Sequence, residues 1–115
     1  MMKKFKFDYD KENDDLFVYL PNKKSKGAIE LGNFVLDFDG KGNLVALQIF
    51  EASKVLSKLL SKFFKLAKIK ELKINVVNFR NMATIQIRII TDSTKETANI
   101  IVPRIRQKKS PALDY

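Results

Sequence analysis

Apolar and polar residues alternate with a period of two along several short stretches, which lie on both sides of one longer helical pattern. A period of two sends successive side chains to opposite faces, so each stretch predicts a strand with one apolar face. Turn-forming residues separate the stretches. Eight stretches show this alternation, at 5–9, 16–20, 28–31, 34–38, 44–49, 72–77, 84–89 and 98–102. From these eight stretches we expect about six to seven strands.

Residues 51–69 predict one amphipathic helix. Its apolar side chains fall on one arc at about 100° per residue, and lysines and serines fall on the opposite arc. Either Ser53 or Glu51 is placed to cap the N-terminal end, and lysines near the far end suit the helix dipole. The lysines of the polar arc are Lys54, Lys58, Lys62, Lys65 and Lys68.

Short turns join consecutive strands, among them Gly40–Asn43, Asn78–Met82 and Thr91–Thr94, and short turns favour antiparallel pairing. The strand at 44–49 is largely apolar on both faces, so we expect it inside the sheet. Pro103 has no N–H to donate, so the last strand is expected to end there or to lie at an edge. These patterns predict an α+β fold, mainly an antiparallel β-sheet with the helix packed on one face.

A chain of 115 residues suits one domain. We predict a single domain over residues 1–109, built from a β part at 1–53 and a part at 54–105 that contains the helix and the last three strands. A basic tail over 106–115 follows, and Ser110-Pro111 marks its loss of regular structure.

Cysteine and histidine are both absent from the chain. Their absence removes disulfides, thiolate nucleophiles, the usual zinc ligands and the commonest general base. Ser53, Ser57 and Ser61 could be activated only by neighbouring lysines, and the solvated face of a helix is a poor place for such a pair. The sequence therefore predicts no catalytic, metal-binding or cofactor-binding residue, and no cofactor.

The first residues include lysines but no apolar run behind them, and no stretch reaches about 20 uninterrupted apolar residues. We therefore expect a cytoplasmic protein that does not associate with membranes. The abundance of Lys and Ile is typical of a thermophilic source, although AT-rich coding gives a similar composition.

Acidic residues near two hairpins suggest metal sites. Asp37, Asp39 and Gly42 occupy positions one, three and six of a calcium-loop pattern. Lys41 stands where a ligand oxygen is needed, and Gln48 replaces the final glutamate, so we interpret the segment as a hairpin turn. A second acidic cluster could hold magnesium, but turns recruit Asp for local hydrogen bonds, and we favour the turn. Its members are Asp8, Asp10, Glu12, Asp14 and Asp15.

Positive charge is concentrated in the second half of the chain. Residues 1–52 hold 8 Lys+Arg and 9 Asp+Glu (net −1), whereas residues 53–115 hold 14 and 4 (net +10). This imbalance predicts a nucleic-acid or acidic-protein partner, or simple solubility. The candidate partner or nucleic-acid surface comprises Lys54, Lys58, Lys62, Lys65, Arg104, Arg106, Lys108 and Lys109.

Four segments together resemble a known family. They are Phe7–Asp10, Asp14–Leu20, Ile29–Gly40 and Gly42–Ser53. Their order is similar to the small prokaryotic domain of unknown function 2283, which has a Tyr-Asp start, an Asp before a Leu–aromatic–aliphatic strand, an acidic strand and an Asp/Gly hairpin leading into Ala-Ser. Ala46 and Gln48 depart from the Gly and Glu that are frequent in that family. The resemblance covers about residues 5–53 and implies a small β-rich domain that associates with a partner, without an established activity.

Three functions remain open from the sequence. The first is a non-enzymatic interaction domain that binds another protein or itself as a homo-oligomer, through open strand edges. The second is sequence-tolerant nucleic-acid binding through the helix lysines and the tail. The third is a metal-dependent enzyme that uses Asp8, Asp10, Asp37 or Asp39. We favour the first, because the usual catalytic residue types are missing.

Overall fold

The computed structural model describes residues 2–60, 66–79 and 82–103, with the backbone alone at 78, 79 and 103. Within these ranges the chain forms eight strands, one α-helix and one 3-10 helix. The strand bounds are β1 Lys3–Asp10, β2 Asp15–Tyr19, β3 Gly27–Leu31, β4 Phe34–Phe38, β5 Leu44–Ile49, β6 Glu71–Phe79, β7 Met82–Ile90 and β8 Lys95–Pro103. The helical bounds are α1 Ala52–Leu60 and the 3-10 helix Leu66–Lys68. The described part therefore contains at least one strand more than predicted.

All eight strands belong to one sheet in the order β3-β4-β5-β2-β1-β6-β7-β8. Every neighbouring pair is antiparallel, which confirms the predicted α+β fold with a mainly antiparallel sheet. Strand β1 pairs with two partners along its length. Its first residues, from Lys3 to Phe5, pair with β6, and its later residues, from Lys6 to Asp10, pair with β2. Strand β1 thus joins a first part of the sheet, β1–β5, to a second part, β6–β8.

The first part of the sheet has one buried and one outward face. Strand β5 lies between β4 and β2, which confirms its predicted interior position. The buried face carries Leu16, Val18, Leu36, Leu47 and Ile49, each 0% exposed. The turn between β4 and β5 has Gly42 at φ 84°, a backbone conformation that glycine adopts without steric cost.

The second part is a meander of three long strands. Of the turn predicted over Asn78–Met82, residues 80–81 lie outside the described ranges, and on either side of them Phe79 pairs with Met82 in the sheet. The turn at Thr91–Thr94 is confirmed, and the N–H of Thr91 donates to the carbonyl of Thr94 at 3.0 Å. Strand β8 extends to Pro103, the last described residue, and lies at the edge of the sheet, as predicted.

Helix α1 begins one residue later than predicted, at Ala52. Leu56 and Ala52 are fully buried, and the helix contacts strand β8. Residues 61–65 lie outside the described ranges. Beyond them the chain forms a 3-10 turn instead of the predicted α-helix, because the N–H of Ile69 bonds to the carbonyl of Leu66 and the N–H of Lys70 already bonds to Ile90 in the sheet.

One hydrophobic core serves both parts of the sheet. Each fully buried Leu or Ile contributes about 1.5–3 kcal/mol to folding, so the shared core couples the two parts energetically. The cluster includes Leu16, Leu36, Leu47 and Ile49 of the first part, Ala52 and Leu56 of α1, and Leu72, Ile74, Ile85, Ile87, Ile89, Ala98 and Ile100 of the second part.

Among residues 2–60, 66–79 and 82–103, no helix combines the length and the apolar character that crossing a bilayer requires.

Candidate functional site

The lysine surface predicted on the helix is described only in part. Lys54 and Lys58 lie on α1 with exposed side chains, on the side away from buried Ala52 and Leu56. Their shared outward position agrees with the helical periodicity. The other predicted members of this surface lie outside the described residues: Lys62, Lys65, Arg104, Arg106, Lys108 and Lys109.

Two of the predicted metal-site carboxylates organise turns. Asp10 accepts hydrogen bonds from the N–H groups of Glu12 at 3.1 Å and Asn13 at 3.2 Å. Asp39 accepts from the N–H groups of Lys41 at 2.9 Å and Asn43 at 2.8 Å. In both cases the next asparagine side chain also donates to the carboxylate. Both segments are therefore hairpin turns of the kind we favoured from the sequence.

These turn bonds also affect the acidity of the two carboxyl groups. The side-chain hydrogen bond from Asn13, together with backbone N–H groups, holds the pKa of Asp10 below its usual range. The backbone N–H of Asn43 does the same for the pKa of Asp39. Among the described side chains, no group of three or more acidic residues is arranged to hold a metal ion.

A hydrogen-bonded clamp fastens the start of helix α1 to the first hairpin. The carboxylate of Asp14 accepts from the hydroxyl of Tyr9 at 2.6 Å and from the hydroxyl of Ser53 at 2.7 Å. It also accepts from the N–H of Ser53, at 3.1 Å to Oδ1 and 3.2 Å to Oδ2. The carbonyl of Asp14 accepts from the N–H of Ala52 at 2.8 Å. We call Tyr9, Asp14 and Ser53 the helix clamp.

The capping of helix α1 differs from the prediction in its side-chain acceptor. Glu51 does supply the carbonyl to which the first helical N–H groups bond, those of Lys54 and Val55. The side-chain acceptor, however, is Asp14, which lies 39 residues before Ser53 in the sequence. Ser53 is a donor to this carboxylate. The sequence signal for this arrangement was the family pattern itself, in which Tyr-Asp, Asp and Ala-Ser recur together.

The clamp shifts the pKa values of two of its members in opposite directions. The hydrogen bond to Asp14, partial burial and the negative charges of Asp14 and Asp10 raise the pKa of Tyr9 to about 12. Partial burial alone would raise the pKa of Asp14. The hydrogen bonds from Tyr9 and Ser53 outweigh it, with help from the charge of Lys54, and lower the pKa of Asp14 below its usual range.

Alkaline pH is expected to weaken the fold through Tyr9. Its pKa in the folded state, about 12, lies above the ordinary value of 10.0, so the protonated phenol contributes its full stabilisation below pH 10. That contribution is lost as the pH rises from 10 towards 12. Urea unfolding across this range measures the loss. Tyr9→Phe should remove this part of the pH dependence, and an unchanged alkaline loss in that variant would contradict the assignment.

The outward face of the first sheet part carries an aromatic patch that is partly exposed. Phe17 and Tyr19 of β2 stack with ring centroids 5.1 Å apart and an interplanar angle of 19°. Each aromatic residue belongs to a row of residues that lie opposite one another on neighbouring strands. Phe17 lies opposite Gln48 of β5, which lies opposite Val35 of β4. Tyr19 lies opposite Ala46 of β5, which lies opposite Asp37 of β4. We call Phe17, Tyr19, Ala46 and Val35 the aromatic platform. Both positions at which the chain departs from the family pattern, 46 and 48, lie in these rows.

The outward face of the second sheet part changes from polar to apolar along its strands. Near the start of β6, Lys73 pairs with Glu71 at 3.5 Å, and in the middle the side-chain amide of Asn75 donates to Gln86 at 3.0 Å. The far end exposes Val77, Met82 and Ile101, at 44%, 42% and 60%. Sequence alternation placed Val77 and Ile101 on strands and Met82 in a turn, but it did not show that the three residues share one end of the sheet.

Comparisons with known proteins give a family and two relatives. Residues 6–53 match the family described as "Protein of unknown function (DUF2283)". An uncharacterised protein of Methanocaldococcus jannaschii is 36% identical over 106 residues, which are 92% of this chain and 78% of that protein. A Methanosarcina mazei protein described as "Putative hypoxanthine phosphoribosyltransferase" is 42% identical over 48 residues, which are 42% of this chain and 39% of that protein. No solved structure matches the chain.

Proposed function

The chain belongs to the family of proteins of unknown function DUF2283, and we propose that it is a non-enzymatic interaction domain that pairs with a second copy of itself through strand β8. The observation that carries the proposal is the edge position of β8. This strand has nine residues, and its register with β7 continues without interruption from Lys95 to Pro103. An edge strand presents one row of backbone N–H and C=O groups that can pair with another strand.

Strand β8 is better suited to pairing than the opposite edge, β3. Strand β3 has five residues, and its neighbour β4 meets β5 with a bulge at Asp37 and Phe38, which twists a sheet locally. In β8 the segment 97–102 contains no charged residue and no proline, the two residue types that most often protect natural edges. Ile101 on this strand is 60% exposed, more than the other exposed large hydrophobic residues of the described part.

Antiparallel pairing of two β8 strands about a twofold axis gives a self-complementary register. Asn99 is the middle residue of Lys95–Pro103, so it lies opposite its own copy. Thr97 then lies opposite Ile101, which covers part of the exposed isoleucine. The outward row Asn75–Gln86–Asn99 would continue across the junction as a row of amide side chains, and such amide rows favour one register.

The engaged carboxylates support a binding role over a hydrolytic one. The oxygens of Asp10, Asp14 and Asp39 accept hydrogen bonds that hold turns and the helix start. The phosphoribosyltransferase description belongs to the Methanosarcina protein, of which this chain matches 39%.

Light scattering after size-exclusion chromatography tests the proposal. The unchanged chain should elute with twice the 13.3 kDa mass of one copy. Asn99→Lys should give the mass of one copy, because like charges would face each other across the axis, at about 0.2–1 kcal/mol for a directly opposed pair and more once desolvated. At low protein concentration, the free energy of unfolding of Asn99→Lys should differ from that of the unchanged chain by less than about 0.5 kcal/mol, because the side chain of Asn99 is exposed.

Ala28→Lys is the matched control, because Ala28 is also exposed and lies on the other edge strand. This variant should keep the doubled mass. A single-copy mass for the unchanged chain at all concentrations, or a doubled mass for Asn99→Lys, would overturn the proposal.

Nucleic-acid binding is the second candidate, and the exposed pair Lys54 and Lys58 on one side of α1 favours it. The same chromatography distinguishes the two functions if the protein is purified without nuclease. The chain has three Tyr and no Trp, so its own ultraviolet absorbance is weak and bound nucleic acid would dominate the spectrum. Co-eluting nucleic acid that is released as salt rises from about 50 to 200 mM would favour this second function.

A further inference from the structure

We propose that the aromatic platform binds a lysine- or arginine-rich segment of a partner chain. The platform lies on the outward face of β2, β5 and β4, whereas β8 is at the far edge, beyond β1, β6 and β7. The proposal therefore concerns a second surface and goes beyond pairing through β8.

The centre of the platform is apolar although it faces outward. Phe17 is 40% exposed, and Tyr19 and Val35 are half-buried. The stacked rings of Phe17 and Tyr19 hold each other in place, so little side-chain freedom is lost when a ligand covers them. In each ring the stacking partner covers one face, and the opposite face attracts cationic side chains, because the faces of aromatic rings carry negative electrostatic potential.

Carboxylates surround the platform at positions set by the strand register. Asp8 lies directly opposite Phe17, and Asp15 precedes Phe17 by two residues on the same face of β2. Across the sheet, Glu30 ends the row of Val35, and Asp37 lies opposite Ala46 in the row of Tyr19. These acids are Asp8, Asp15, Glu30 and Asp37. Lys6, opposite Tyr19, and Lys4, two residues before it on the same face of β1, are basic.

The aromatic rings and the carboxylates around them together favour a cationic partner. A neutral apolar partner would desolvate carboxylates without compensating them, and an anionic partner would be repelled. A lysine or arginine can place its alkyl chain on the rings and its charge beside a carboxylate. The overall charge of +9 does not prevent this, because exposed charges more than about 8 Å away are screened at physiological salt.

Titration of the isotope-labelled full chain with a hexaarginine peptide, followed by NMR, tests the proposal. The largest shift changes should fall on Phe17, Tyr19, Val35 and their neighbours in the same rows. Binding should weaken as salt rises from about 50 to 200 mM. Combining Phe17→Ser with Asp8→Asn and Asp15→Asn should weaken binding about tenfold, from the loss of ring and carboxylate contacts together.

The matched control combines Val77→Ser and Asp92→Asn, which remove an exposed apolar side chain and an exposed carboxylate from the second sheet part. This control should leave the affinity unchanged, and a hexaglutamine peptide should not bind. Asp8→Lys offers an independent check, since it keeps both rings and should also weaken binding. Absence of shift changes at the platform, or equal affinity in the platform and control variants, would overturn the proposal. A negative result in this NMR titration would not bear on the pairing through β8, because that pairing is tested by the mass of the protein in light scattering.

Discussion

Replacing Phe5 by alanine is expected to lower the free energy of unfolding by about 3–5 kcal/mol, the cost of removing a buried phenylalanine from a packed core. Phe5 is 4% exposed and pairs with Leu72 where β1 leaves β6 and continues beside β2. Since total stabilities are about 5–15 kcal/mol, this single change should remove a large share of the stability. Urea unfolding followed by circular dichroism measures it.

The position of Phe5 in β1 leads to a second expectation, which concerns how the two parts of the sheet unfold. Strand β1 belongs to both parts of the sheet, so the first and second parts should lose structure together. NMR signals of Leu47 and Ile87, one from each part, should disappear with the same urea midpoint. Phe50→Ala is the matched control, because Phe50 is 37% exposed, and it should cost less than about 1 kcal/mol. Two separate midpoints would show that the parts fold independently.

Asp14→Ala is expected to destabilise the protein by about 3 kcal/mol, because three losses coincide. The helix start loses a side-chain cap, which costs about 0.5–2 kcal/mol. The hydroxyl of Tyr9 loses its acceptor, and alanine disfavours the left-handed backbone at φ 57° by about 1–2 kcal/mol. Asp14→Asn keeps an acceptor oxygen and tolerates this φ, so it should cost about 1 kcal/mol.

The same urea titrations and the exchange rate of the Ser53 amide hydrogen check this prediction. Asp8→Ala serves as control, because Asp8 is an exposed acid of the same hairpin, and it should change stability by less than about 0.5 kcal/mol. The lowered pKa of Asp14 adds a pH test: its contribution is present above the ordinary value of 3.8 and is lost as the pH falls through the folded-state value. Equal stability of Asp14→Ala and Asp8→Ala would contradict the clamp.

Most of the secondary structure could be predicted, because it follows from local periodicity. Alternation located the strands, and the turns at Gly40–Asn43 and Thr91–Thr94 followed from residues that favour turns. The central position of β1 could not be predicted in this way. Alternation shows that a strand has a buried face, but it does not choose a partner, and β1 changes partner after Phe5.

The candidate surfaces were harder to predict than the fold. Asp14 looked like one more turn-forming acid, because its partner Ser53 is 39 residues away and only the folded chain brings the two together. The aromatic platform depends on the pairing of β5 with both β2 and β4, which the sequence does not state. The lysine surface was predictable because helical neighbours are local, but within the described residues it consists of Lys54 and Lys58.

The helix clamp also determines how the chain leaves the family-like region. The match to the family ends at residue 53. At this residue, the N–H and the hydroxyl of Ser53 both donate hydrogen bonds to the carboxylate of Asp14. The β1–β2 hairpin therefore fixes the position and the direction of the chain at this boundary. Helix α1 of this chain therefore starts at a position that the hairpin fixes, so the region 6–53 determines where the remainder of the chain begins.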